Sequence, residues 1–179
     1  MKKKVLSIVA VVLVLCCAIG GTLAWLTDKT DPVVNTFTVG DINIELTESE
    51  NLDLKMVPGN TITKDPKVTV KANSEACWLF VKVEESANFG DFMTYEMADG
   101  WTALPDVTGV YYREVSATTA DTDFAVLKDN QVKVLDTVTK TMLEAAKTDA
   151  PTLTFTAYAV QKDNVTSVTD AWAKANAKP

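Results

Sequence analysis

The chain has 179 residues, a formal charge of −7, three cysteines and no histidine. The missing histidine excludes Ser-His-Asp and Cys-His catalysis and histidine-ligated zinc, including the HExxH helix of metalloproteases. The acidic balance argues against nucleic acid and anionic membrane surfaces as partners, and neither GxxxxGK[ST] nor GxGxxG occurs.

The first element predicted along the chain is a signal peptide, residues 1–24. Lys2, Lys3 and Lys4 form a positive region, and Val5 to Ile19 is an apolar run shorter than the roughly 20 residues that span a bilayer. Two glycines follow, then Thr22, Leu23 and Ala24. Thr22 and Ala24 are the small residues a signal peptidase accepts three and one before its cut, so Trp25 becomes the new N-terminus. The alternative is an uncleaved N-terminal anchor. Cleavage removes three lysines and no acid, taking the formal charge from −7 to −10. Cys16 and Cys17 leave with the signal; neither follows the small residue that a lipid-modified cysteine needs. Cys77 then remains as the single cysteine and has no intramolecular partner. Within "ACWLFVKV" it reads as a buried small hydrophobe, the alternative being an exposed thiol that pairs between chains.

From there the dominant period is two. "NTFTVGDINIELTE" places Phe37 and Val39 on one face, then Ile42, Ile44 and Leu46. "VPGN" is a turn, with Pro58 setting the first central φ and Gly59 free to take a positive one. Asp65-Pro66 separates two short strands. "KVTVKA" turns Val68 and Val70 inward and Lys67, Thr69 and Lys71 outward. "CWLFVKVEE" puts Leu79, Val81 and Val83 on one face and Trp78 and Phe80 on the other. Gly90, Asp99-Gly100 and Gly109 mark loops. "GVYYREV", "NQVKVLD" and "PTLTFTAYAVQ" continue the alternation. Short strands rich in Val, Ile, Thr, Tyr and Phe between turns predict a mainly β chain, an antiparallel β-sandwich. "DTVTKTMLEAAK" and "SVTDAWAKANAK" predict two short peripheral helices, capped by Asp136 or Thr137 and by Ser167 or Thr169. No internal repeat or second domain is visible.

Candidates for chemistry are few. "DTDF" at Asp121 to Phe124 and "KDN" at Lys128 to Asn130 offer oxygen ligands of the kind calcium takes, without EF-hand spacing. "LPDVTG" lies mid-chain with one residue too many for a sortase signal. "NVT" at Asn164 fits the glycosylation triplet. No catalytic residue, metal ligand or cofactor is assigned.

"GGTLAWLTD", "NTFTVGDINIELTE", "MVPGNTITKDPKVTVKANSEACWLFVKVEE" and "LTFTAYAVQ...VTDAWA", in that order, resemble the TasA/camelysin family, weakest from about Phe89 to Ala150. The resemblance implies a jelly-roll sandwich, secretion by a Gram-positive bacterium, and processing by a SipW-type signal peptidase. It implies a structural role in an extracellular or biofilm matrix, or at the cell surface, for a non-enzyme that meets the membrane only as precursor. Camelysins are described as metallopeptidases; without histidine that activity is not carried over. The implied mechanism is fibre assembly. Residues 25–40, freed by the cut, carry Trp25, Leu26, Val33, Val34, Phe37 and Val39, too apolar for a solvated tail. Such a segment adds as a strand to the sheet edge of another copy, head to tail, on a sandwich domain of residues 41–179. Related matrix subunits are further candidate partners. Alternatively Val33 to Val39 is the first strand of its own domain. A secreted binding module is the rival class; exposed aromatics among Trp78, Trp101, Tyr111 and Tyr112 favour it.

Overall fold

Alternating apolar and polar residues become ten strands in the computed structural model, which describes residues 41–49 and 54–177. The chain divides into two units, Met1–Val34 and Asn35–Pro179. Every described residue belongs to the second unit.

All described strand pairs are antiparallel. β1 (Ile44–Thr47), β3 (Lys67–Val70) and β8 (Thr122–Ala125) form one sheet. β2 (Thr61–Thr63), β9 (Gln131–Val134) and β5 (Met93–Thr94) form a second. These two are halves of one layer. Pro66 has no N–H to give to a ladder, so the strand pauses between β2 and β3. The partner strand pauses opposite it, between β8 and β9. The break is bridged by Val126 N–H to Pro66 O at 2.9 Å and Lys64 N–H to Asn130 O at 2.8 Å. The other layer runs β10 (Leu153–Gln161), β4 (Cys77–Glu85), β7 (Val110–Val115), β6 (Thr102–Ala103). The chain changes layers from β3 to β4, β4 to β5, β5 to β6, β7 to β8 and β9 to β10. This is the jelly-roll-like sandwich expected from the sequence.

The core between the layers is built from Val68 and Val70, from Cys77, Leu79, Val81 and Val83 on β4, and from Val126, Leu127 and Val132. Cys77 is fully buried, and burial pushes its thiol up to about 11. Thr69 points away from this core as expected, but it is covered as well, its hydroxyl donating to Asp123 Oδ1 at 2.7 Å.

The other face of β4 carries Trp78 and Phe80. A helix near the C-terminal end, α3 (Val168–Ala175), covers this face with Ala171 and Trp172. Ser167 caps it, accepting from Asp170 N–H. α2 (Lys140–Ala145) starts later than expected. Its cap is Thr139, which accepts from Met142 N–H, not Asp136 or Thr137. Val138 is buried beside Val134 and Phe92, and its N–H donates to Leu135 O; residues 135–138 are thus spent in a turn before the helix begins. Gly90, expected in a loop, lies inside α1 (Phe89–Phe92), which forms because Phe89 and Phe92, three apart, are both buried. The turn at Gly59 is as expected, with φ +80° and Asn60 N–H on Val57 O at 3.0 Å.

Candidate functional site: an open strand edge

A strand in an antiparallel ladder alternates between residues whose N–H and C=O face the partner and residues whose groups face away. On β10 the parity is set at both ends. Lys162 N–H donates to Ala76 O, and Ser86 N–H to Thr152 O. Both pairs lie in the β10–β4 register, which is continuous from Leu153↔Glu85 to Gln161↔Cys77. Even-numbered residues of β10 therefore bond to β4. The backbone groups of Leu153, Phe155, Ala157, Ala159 and Gln161 face outward, and they have no partner among the described residues.

β1 forms the opposite lip. Lys71 N–H donates to Asn43 O, so odd residues of β1 face β3 and the backbone groups of Ile44 and Leu46 face out. The side chains at these same positions point toward the core. Ile42, Ile44, Leu46, Leu153, Phe155, Ala157 and Ala159 all pack against the main cluster while staying half-exposed. The result is a seam with two strand edges that are unpaired among the described residues and apolar side chains along both. Lys64 covers part of it, its Nζ 5.5 Å from the Phe155 ring centroid and 2.6 Å from Glu48 Oε1.

The other seam is closed. The chain itself crosses it between β5 and β6, through Ala98 to Trp101. Trp101 donates its indole N–H to Ala125 O at 2.8 Å. The Arg113 guanidinium lies 4.1 Å from the Phe124 ring centroid and 5.3 Å from that of Trp101, and burial lowers its pKa. Gly100 is required there: at φ +88°, any Cβ would meet Arg113 Nη2 at 2.7 Å.

The residues singled out at the N-terminus (Thr22, Ala24, Trp25, Leu26, Val33, Val34, Phe37 and Val39) all lie outside the described residues. The aromatic candidates for a binding surface are half-buried. Trp78 packs at 5.9 Å from Tyr112, with Lys162 above its ring. The only exposed large hydrophobics among the described residues are Leu54 and Val57. The acids of "DTDF" are engaged otherwise. "TDFA" is strand β8, and its alternation sends Asp121 to Ala72 N–H and Lys71 and Asp123 to Lys67 and Thr69. "KDN" is a 3-10 turn with Asp129 and Asn130 at φ +53° and +54°. The open edge of β10 was not singled out from sequence. "LTFTAYAVQ" shows a strand, but nothing in a strand's own residues says which side lacks a neighbour.

A family model described as camelysin metallo-endopeptidase matches residues 1–165. No curated protein and no solved structure shows a significant match. The metal that this description implies does not fit the donor set. There is no histidine, no three of Cys, Asp and Glu converge among the described residues, and Cys77 is fully buried.

Proposed function

Because this chain belongs to the camelysin family, we propose that it is a secreted structural subunit of that family and not a peptidase. It assembles into fibres of an extracellular matrix or surface layer by donating its N-terminal strand to the next copy. A SipW-type signal peptidase cuts after Ala24 and frees residues 25–40. Before the cut, the segment is held at the membrane and cannot reach a neighbour. Afterwards it adds to β10 of another copy. The contact is head to tail and does not close, so it propagates. The partner is a second copy of this chain, with related matrix subunits as minor partners.

One observation carries this reading: the edge of β10 left without a partner strand among the described residues, nine residues long and apolar on its inner face, with no bulge or proline to blunt it. Each hydrogen bond made there contributes about 0.5–1.5 kcal/mol. Each large side chain of the donor, Trp25 or Leu26 for example, adds about 1.5–3 kcal/mol when buried. Cα atoms of β1 and β10 approach within 8 Å. A strand bonded on both sides needs about 9.6 Å, so the donor pairs with β10 and covers the flanks of Ile44 and Leu46 with its side chains. Trp78, Trp101, Tyr111 and Tyr112 are all half-buried, which weakens the support for a secreted binding module.

The test is electron microscopy of two forms at equal concentration, one beginning at Trp25 and one at Asp41. The longer form gives filaments and the shorter stays a folded monomer. If both stay folded and monomeric, strand donation fails. If the shorter form does not fold, residues 25–40 are an intrinsic part of the domain.

A further inference from the structure

Where β4 ends and α1 begins, with Glu85 directly opposite Leu153 of β10, the surface holds an open depression of about 490 Å³. Its walls are Glu85, Tyr95 and Tyr111, with Phe89 and Leu135 as apolar lining and Gly90 at its side. Tyr95 is half-buried, its ring edge-on to Phe89 at 5.9 Å. Its hydroxyl donates to Glu85 Oε1 at 2.8 Å. Burial, followed by the bond to Glu85, raises the Tyr95 pKa, so the phenol stays protonated and Glu85 stays the acceptor. The second carboxylate oxygen takes no hydrogen bond among the described residues. Glu85 takes part in no ion pair among the described residues, while nine lysines there pair with carboxylates. No cationic side chain among the described residues lines the depression.

We propose that this depression binds a primary alkylammonium group, either a free amine or the lysine side chain of another polypeptide. The chemistry is complementary at each point. The ammonium meets a carboxylate that a tyrosine holds in place. Tyr95 and Tyr111 line the same depression, and phenol rings attract a cation over their faces. The alkyl stem lies on the half-exposed Met93 and Leu135. Glu85 is exposed and solvated, so a neutral alcohol of the same length lacks only the attraction of its charge. The proposal does not depend on strand donation.

The experiment is ligand-observed saturation-transfer NMR on the exported protein, which reads binding to monomer and fibre alike. The probes are pentylammonium, Nα-acetyl-lysine methylamide and, as the neutral control, 1-pentanol. Both ammonium probes bind in the millimolar range, and 1-pentanol is weaker by about threefold or more. Glu85→Gln weakens the ammonium probes by a similar factor. Gly90→Phe provides an occluding variant: a Cβ at Gly90 meets no atom within 4 Å, so a ring there fills the mouth without straining the helix, and binding is lost from a folded protein. Stronger binding of the lysine probe identifies a polypeptide source, and stronger binding of pentylammonium a free amine. Equal binding of 1-pentanol, absence of saturable binding by either amine, or an unchanged affinity in Glu85→Gln overturns the proposal.

Discussion

Two proline substitutions one residue apart on β10 separate the fold from the assembly. Thr156 lies opposite Lys82 at a position whose backbone faces β4. Thr156→Pro deletes its N–H and orphans the Lys82 carbonyl. The lost bond costs about 0.5–1.5 kcal/mol and the unpaired carbonyl about 1–3 more. Together that is a large share of a total stability of about 5–15 kcal/mol. Ala157 faces the other way, so Ala157→Pro deletes no bond to β4. Its effect on the monomer stays within about 1 kcal/mol, as for proline at a compatible edge position. The incoming strand, however, loses a donor and meets the ring. Urea unfolding of both variants gives the first comparison and electron microscopy the second. The expected pattern is an unstable Thr156→Pro and a stable Ala157→Pro that forms no filaments. Equal destabilisation would refute the parity assigned to β10. Normal filaments from a folded Ala157→Pro would refute the use of this edge.

Gly109→Ala is expected to destabilise by about 1–3 kcal/mol, seen as a lower urea midpoint at unchanged slope, since its φ is +73° and a Cβ would meet Val83 O at 2.6 Å. Trp172→Ala is expected to cost about 3–5 kcal/mol and to reduce near-ultraviolet dichroism, because Trp172 is only 8% exposed and packs 5.4 Å from Phe80 and 5.2 Å from Tyr158. Acid should weaken the fold. Asp65 is held low by the Ser49 hydroxyl, Asp123 by Lys67 and Thr69, and Asp121 by the Ala72 N–H. Their contribution is fully present above the unfolded carboxylate value of about 4 and is lost as pH falls through the lower folded values, so the thermal midpoint should drop there. Cys77 behaves oppositely. Its folded value is raised to about 11, so its contribution is complete below the unfolded value of about 8.5 and disappears as pH rises through the folded one. A thiol reagent at pH 8 should label Cys77 only upon unfolding.

Much of the sandwich was legible because strand burial has period two. Val68 and Val70, and Leu79, Val81 and Val83, declare an inner face by alternation, and Gly59 and Gly109 declare turns through backbone angles that other residues resist. Local competition was not legible. Thr139 became the cap of α2 because Val138 had already been claimed by the core, and α1 formed around Gly90 because two phenylalanines needed burial. β8 hid inside "DTDF", whose alternate acids looked like ligands until Lys67 and Lys71 were placed beside them.

The two functional features divide along the same line. An excluded histidine chemistry, a cleavable N-terminus and an apolar segment behind it are properties of residue identity and order, and the sequence determines them as expectations with no reference to a fold. The edge of β10 that is unpaired among the described residues and the meeting of Glu85, Tyr95 and Tyr111 are properties of adjacency. Each depends on which strand lies next to which, and on where the ladder stops. Those are settled by packing two layers around one core, since a strand's own side chains specify its faces and leave its neighbours to the tertiary structure.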